Sequence, residues 1–252
     1  MNKMIQWPRS KWWEKTFSPI VGCRKVSPAC DNCWAEAWAS RFGQSFEPHS
    51  TTRRHPPRNG VVFCGPETDL FGCWRSDDDI LEDLEKTQCK GTIYVWLTKR
   101  AGRMARLLNK LDDIKLKHDA IWFPETWYSK NYFGFTAENQ EWYDRRRDNI
   151  YNDWPLWANL WVSCEPLLGP IDLKAGNVVA GSRLKWCVVG CESGANRRPC
   201  KIEWIEGIVE QCREANVPVF VKQVCLRNNK FTRDINEFPD NIRIRQVPWA
   251  KD

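Results

Sequence analysis

"GTIYVWLTKRAGRM", residues 91–104, joins two patterns in one short stretch. The run from 91 to 97 is apolar throughout, without the alternation of a strand that turns one face to water. It therefore reads as a strand buried on both sides. A polar triplet follows, Thr98, Lys99 and Arg100, and a helix is predicted from about 100 to 111. Strand, polar end, helix: this is one βα unit, and the rest of the chain repeats it.

Upstream, "TFSPIVG" (16–22) reads as a strand running into a cysteine loop, and 31–43 as a helix ending near Gly43. "VVFCG" (61–65) is a second strand, with an acidic helix around 77–88. Downstream, "AIWF" (120–123) is a weaker strand candidate, and "NYFGFT" (131–136) a stronger one with a helix over 139–150. "LWANLWVSC" (156–164), "LKWCVVG" (184–190) and "VPVFVK" (217–222) complete the strands. Between the last two, 201–215 reads as a helix with Trp204, Ile205, Ile208, Val209 and Cys212 on one face. Apolar strands alternating with helices predict an α/β fold with a parallel sheet covered on both faces. Seven or eight units favour a (β/α) barrel, complete or partial and TIM-like, over an open sheet, in a single domain spanning 1–252. Two segments fall outside the rhythm, an irregular insertion at about 44–60 and an extension after about 224.

Composition bounds the function. The 252 residues are 42% hydrophobic and 28% charged, as in a soluble globular protein. No apolar run approaches the ~18 residues of a membrane span. The opening "MNKMIQWPRSKWWEK" lacks the apolar core and cleavage site of a signal peptide, so a cytoplasmic protein without membrane partners is expected. In that compartment the twelve cysteines are not a disulfide framework, and metal or cluster ligation gains weight. The net charge of +6 is uneven, with basic groups at Arg53, Arg54 and Arg58, along Lys99 to Arg106, and at Arg145 to Arg147. Such clusters suit a polyanion or form a solvated face. Of the sixteen tryptophans, most belong to core or rim, which leaves some to stack on nucleobases.

In a parallel barrel, chemistry gathers at the C-terminal ends of the strands. Here those ends carry Cys23; Glu67 and Asp69; Thr98, Lys99 and Arg100; Thr136, Glu138 and Asn139; Ser163 and Glu165; Glu192 and Ser193; Lys222 and Gln223. A lone polar residue after a strand, such as Asn139 or Ser193, is explained equally by a helix cap. Charged groups after nearly every strand point to one shared site. An ion-pair network of Lys99, Lys222 and Glu165 bracing the mouth is the alternative for those three.

"GCRKVSPACDNCWAE" (22–36) sets Cys23, Cys30 and Cys33 in one loop. Core thiols would be spread along buried faces instead. Structural zinc would pair Cys30 and Cys33 with Cys23 and a distant residue, although His49 and His55 do not fall at a usual spacing. A redox pair would leave Cys23 idle. A [4Fe–4S] cluster on three thiolates would keep one iron open for S-adenosylmethionine, whose reductive cleavage yields a 5′-deoxyadenosyl radical. Elsewhere, Cys164, Cys187, Cys212 and Cys225 read as core. Cys64, Cys73 and Cys89 are unassigned, and Cys191 with Cys200 is a candidate second metal centre.

Loop, barrel and strand-end groups together resemble the radical S-adenosylmethionine superfamily. Its usual spacing is Cys-x3-Cys-x2-Cys with an aromatic before the last cysteine. Here six residues separate Cys23 from Cys30, Asn32 precedes Cys33, and Trp34 follows it. A closer resemblance is to a phage- and bacteria-encoded family of unknown function with radical-enzyme-like features. Its pattern includes "CGPETDLF", "LTKRAGRM", "GFTAENQ", "VSCEPLLGPIDL", "WCVVGCESGANRRPC" and "VPVFVKQ", with Trp34 where the family has Tyr and Cys191 where it has Gly.

The resemblance implies that Cys23, Cys30 and Cys33 hold the cluster and that Trp34 takes over the adenine contact. It implies Glu67 and Asp69 at the methionyl amino group, and Thr136, Glu138, Ser163 and Glu165 at carboxylate and ribose. Glu192 and Ser193 would meet adenosine or substrate, while Lys99, Arg100 and Lys222 offer charge to a carboxylate or phosphate. An electron donor such as flavodoxin or ferredoxin would be a partner, in the host cytoplasm if the chain is phage-encoded. The expected activity is modification or rearrangement of a nucleobase, a hypermodified pyrimidine in phage DNA, with the loop from Arg53 and Arg54 to Arg58 gripping phosphates. A free nucleotide or small metabolite, a DNA-repair lyase with the same cofactors, and a zinc-stabilised nucleic-acid-binding module without catalysis remain the alternatives.

Overall fold

Every apolar run named above that falls on described residues forms a strand. The computed structural model describes residues 6–53, 55–117, 123, 125–173, 184–226 and 230–250. In chain order the elements are β1 (Lys15–Phe17), β2 (Ile20–Val21), α1 (Trp34–Arg41), β3 (His49–Ser50), β4 (Gly60–Cys64), α2 (Asp77–Glu85), β5 (Thr92–Thr98) and α3 (Ala101–Lys117). Then come α4 (Glu125–Lys130), β6 (Asn131–Thr136), α5 (Gln140–Ile150), β7 (Asn159–Cys164), β8 (Trp186–Gly190), α6 (Ile202–Glu214), β9 (Val219–Cys225) and β10 (Phe231–Thr232). The main sheet runs β1-β4-β5-β6-β7-β8-β9-β10, with all neighbours parallel except β10, which is antiparallel to β9. Helices connect the parallel strands β1 to β7 and β8 to β9, as parallel pairing favours; between β7 and β8 the described residues hold none.

Two local differences from the sequence reading have simple causes. The strand expected over 16–22 is broken, because Pro19 has no N–H to give a ladder. β1 joins the main sheet, while β2 turns off to pair antiparallel with β3, which lies in the 44–60 insertion. The candidate strand at 120–123 lies outside the described residues except Phe123, which packs on Trp127 at 4.2 Å between ring centroids.

The larger difference is closure. Among the described residues the sheet does not close into a complete barrel, because β1 pairs with neither β9 nor β10. It is nevertheless curled. In a flat sheet β4 and β8 would lie about 19 Å apart, at roughly 4.8 Å per strand. The single indole of Trp12 has its ring centroid 4.7 Å from Phe63 on β4 and 5.2 Å from Trp186 on β8. The gap between the sheet's edges is bridged by the two ends of the chain. Residues Gln6 and Gln246 pair antiparallel, Arg245 pairs with Phe220 of β9, and Glu14 donates its N–H to Val61 of β4.

Period-2 alternation therefore feeds two cores. Outward residues such as Val62, Trp96, Phe133, Val162 and Val189 pack under the helices with Leu84, Leu108 and Ile208. Inward residues, among them Val61, Val95, Tyr132, Trp161, Val188 and Phe220, enclose Trp12 and Val247, with Trp249 packed beside them. Much of the tryptophan content is thus a plug inside the curl. The extension after 224 contributes to both cores, Phe238 and Ile242 to the outer one and Val247 with Trp249 to the plug, and is not a separate appendage. Among the described residues no helix is long and apolar enough to cross a membrane.

Gly134 of β6 makes the plug possible. The Trp161 indole crosses over it to donate to the Trp96 carbonyl on β5 at 3.0 Å, and a Cβ at 134 would stand 2.4 Å from the ring. Gly134→Ala should destabilise the fold by about 2 kcal/mol, in the range of core overpacking. Trp161→Phe should recover part of that loss in the G134A background, as read by urea denaturation. Equal stability of wild type and G134A would show that the ring is free to move aside.

Candidate functional site

The inward parity continues past the strands into polar residues. Lys99 follows Val95 and Leu97, Thr136 follows Tyr132 and Gly134, Ser163 and Glu165 follow Trp161, and Lys222 follows Phe220. All of them line one cavity of about 200 Å³ at the C-terminal ends of the strands. Because the tryptophan plug fills the curl below, the open space lies only at this end.

The cysteine loop forms the facing wall, and Cys23, Cys30 and Cys33 all line the same cavity. Gly22 begins the loop with φ +84, and a Cβ there would lie 2.5 Å from the Glu47 carbonyl. Cys30 ends the 3₁₀ turn Pro28–Cys30, and Cys33 is the N-cap of α1. The loop is held from both sides. On one, Thr68 donates to the Gly22 carbonyl at 2.6 Å and Arg100 to the Arg24 carbonyl at 3.2 Å. On the other, Arg198 donates to both oxygens of Glu192, at 3.0 and 2.5 Å, and to the Pro28 carbonyl at 2.9 Å. The Asn32 amide donates to Glu192 at 3.0 Å and to the Asn196 carbonyl at 2.9 Å.

Charge at the cavity is almost entirely internal. Five carboxylates line it, and each has a basic partner: Glu36 with Lys25, Glu67 with Arg53, Asp69 with Arg100, Glu165 with Lys222 and Glu192 with Arg198. Asp69 is saturated, accepting from the Thr98 hydroxyl, the Phe71 and Lys99 N–H groups and the Arg100 guanidinium. Glu165 takes Lys222 at 2.7 and 2.9 Å and the Gln223 amide at 2.6 Å. Of the basic residues lining the cavity, Lys99 alone has no ion-pair partner among the described residues. The expected brace therefore exists between Lys222 and Glu165 but leaves Lys99 out. Thr136 and Ser163 are Cα partners on β6 and β7, and Lys99 directly follows the Thr98–Phe135 pair of β5 and β6, so the three form a row along adjacent strand ends.

Several expected residues stand elsewhere. Glu138 does not line the cavity; it is fully buried behind the floor, paired with Arg146 at 2.5 Å. Arg146 also donates to the Thr136 and Lys99 carbonyls, so this part of the Arg145 to Arg147 cluster is an internal brace and not a polyanion surface. Asn139 is the N-cap of α5, accepting from the Trp142 N–H. Trp34 and Ser193 line the cavity, with Trp34 half exposed at its lip. Arg54 lies outside the described residues. Arg53 reaches Glu67 at 3.4 Å, and the Arg58 carbonyl accepts from Lys15 beside the start of β4.

All twelve cysteines are free. Burial pushes the Cys23 thiol up to about 11, with Asp69 adding to this and Arg100 and Lys99 opposing it. Cys191 and Cys200 are buried, and burial pushes Cys200 up to about 12. Among the described residues no three His, Cys, Asp or Glu are grouped to hold one metal ion, which leaves a second centre at Cys191 and Cys200 without support. The same spacing bears on the loop thiols. Ligands sharing one zinc stand about 3.8 Å apart, from Zn–S bonds of about 2.3 Å. A cubane cluster puts each thiolate on a different iron, so its ligands stand farther apart around a common space. Soft thiolate donors suit either centre, and Cys23, Cys30 and Cys33 share one cavity wall, with Lys99 and Arg100 beside Cys23.

Sequence reasoning missed Arg198 and Thr68 altogether, and named Asn32, Arg146 and Gln223 without their roles as partners. Only the Arg197–Arg198 doublet six residues past Glu192 gave a local signal. Burial works to raise the Glu192 carboxyl, and hydrogen bonds from Arg198 and Asn32 outweigh it, leaving the carboxyl below its ordinary range. Arg198→Ala should cost about 2 kcal/mol, typical of hydrogen bonds to a charged group, and should speed proteolysis within 23–33. Because the folded-state value is depressed, the clamp contributes fully above the ordinary glutamate value of about 4.3 and is lost as pH falls through the lower one. The thermal midpoint of wild type should therefore drop more between pH 5 and pH 3 than that of Glu192→Gln.

No curated protein and no solved structure matches the chain. One family model does, over residues 8–237, a span that includes the cysteine loop, the parallel strands and every residue lining the cavity. By that match the chain belongs to the family described as protein of unknown function DUF5131.

Proposed function

We propose that the protein is a radical S-adenosylmethionine enzyme that modifies a nucleobase in DNA. The observation that carries the reading is the pairing of two features on one cavity. Three loop thiols line the same cavity as a row of Lys99, Thr136 and Ser163 in which the ammonium has no counter-ion among the described residues. Cys23, Cys30 and Cys33 would hold a [4Fe–4S] cluster. Bound there with S-adenosylmethionine, it supplies the one-electron reduction that cleaves the sulfonium and gives a 5′-deoxyadenosyl radical.

The chain's own residues bind and orient. Lys99 offers the charge that a carboxylate needs, and the Thr136 and Ser163 hydroxyls stand beside it as donors. Asp69 is fully engaged by its four partners, so the methionyl amino group falls to Glu67, whose single ion pair is a long one at 3.4 Å. Trp34 at the lip offers an indole face to adenine. Glu165 with Lys222, and Glu192 with Arg198, act as positioning pairs that fix the mouth and the cysteine loop.

Anaerobic reconstitution should give brown protein with about four irons per chain, and 5′-deoxyadenosine after reduction with S-adenosylmethionine. Cys23→Ala, Cys30→Ala and Cys33→Ala should each abolish both. Lys99→Ala should keep the iron and weaken S-adenosylmethionine binding by about tenfold, the loss expected for one charge-assisted contact. Colourless protein carrying stoichiometric zinc would overturn the reading.

A further inference from the structure

α1 is built inside out. Its buried residues are Ala35 and Ala39, while Trp34, Trp38 and Phe42 just past its end are 51%, 51% and 58% exposed. These three stand four residues apart, so they line one side of the helix at about 6 Å intervals. The Trp38 and Phe42 rings are in contact, with centroids 5.0 Å apart. Of six large hydrophobic residues exposed among those described, three belong to this helix and its end: Trp34, Trp38 and Phe42. A helix that hides alanines and shows indoles has its large apolar surface turned to a partner.

The chemistry of the face selects the partner. Its other outward residues are Ala37, Ser40 and Arg41, with no branched aliphatic side chain to seat a protein helix or an acyl chain. Flat rings separated by small residues suit flat rings. The neighbouring charge suits a polyanion: Arg41 and Lys99 have no ion-pair partner among the described residues. Arg24 and Arg53 are exposed and hold carboxylates only at 3.5 and 3.4 Å. Pairs so long and so exposed contribute little and exchange readily for phosphate.

We propose that the outward face of α1 is a stacking platform for a single strand of nucleic acid, leading it from Phe42 past Trp38 to Trp34 at the lip of the cavity. This rests on the functional reading above and deepens it, because it names the form in which a base reaches the cavity: unpaired, with its neighbours stacked on the helix. Base-on-aromatic stacking tolerates any sequence, so the platform recognises strandedness and not sequence.

The test is fluorescence anisotropy with a labelled 20-nucleotide DNA, single-stranded or duplex, on metal-free and iron-loaded protein. Single strands should bind at least tenfold more tightly than duplex, and binding should weaken as salt rises. Trp38→Ala with Phe42→Ala should weaken it by about tenfold or more, while 5′-deoxyadenosine formation without DNA stays unchanged. Equal affinity for duplex, or binding indifferent to the double substitution, would overturn the platform. So would a double variant that instead loses self-association or vesicle binding. The two readings fail separately: strand binding by protein that takes up no iron removes the radical chemistry alone, and active iron-loaded protein without strand binding removes the platform alone.

Discussion

The site depends on one electrostatic constraint: carboxylates delivered to a common mouth by parallel strands must each be neutralised where they stand. Two unpaired carboxylates 6 Å apart would repel by about 3 kcal/mol at an effective dielectric of 20, and burial adds to that cost. Here every carboxylate lining the mouth has its own cation, and in two of the pairs the partner comes from a different unit. Asp69 after β4 takes Arg100 after β5, and Glu165 after β7 takes Lys222 on β9. Glu192 after β8 takes Arg198, which reaches on to the cysteine loop. Arg146 of α5 ties the ends of β5 and β6 by their carbonyls. The pairs that cancel repulsion therefore also lace the strand ends together, around a sheet that does not close by hydrogen bonds.

What the pairs do at the mouth, the tryptophans do below it. An open curled sheet has a hollow that must be filled, and Trp12, Trp161, Trp186 and Trp249 fill it, with ring centroids about 5 to 6.5 Å apart. Two of the four come from the strands and two from the ends of the chain. The terminal segments thereby seal the edges and the bottom in one step. A cavity is then possible only at the C-terminal ends, where the cysteines are. Fold and site are in this sense a single consequence of inward parity, with indoles low on the strands and polar groups high.

Much of this was legible in the sequence, and the limits follow from distance along the chain. Strands buried on both faces announce themselves as unbroken apolar runs, which is why 91–97 and 131–136 matched the structure almost to the residue. Pro19 marked the break in the first strand but was read as part of it. The candidate residues at the mouth could be read from strand-end position alone. Most of their partners could not, since Asp69 and Arg100 are 31 residues apart; the Glu165–Lys222 pair, 57 residues apart, was reached only as an alternative that also included Lys99. Glu138 shows the cost of that blindness. It shares a strand-end position with the lining residues, yet it is drawn behind the floor by Arg146, eight residues on along the next helix.

The cysteine loop shows how a departure in spacing is absorbed. Six residues between Cys23 and Cys30 would ordinarily leave a slack segment, and ordering slack backbone costs about 1 to 2 kcal/mol per residue. Here the carbonyls near the two ends of that interval are fixed, Arg24 by Arg100 and Pro28 by Arg198, and the 3₁₀ turn that follows delivers Cys30 buried. Both arginines are also the neutralising partners of Asp69 and Glu192. The loop's extra length is thus ordered by cations that the mouth requires on electrostatic grounds alone. Thiol placement and charge balance cannot vary independently: losing either carboxylate would free its arginine from the wall and release one end of the loop.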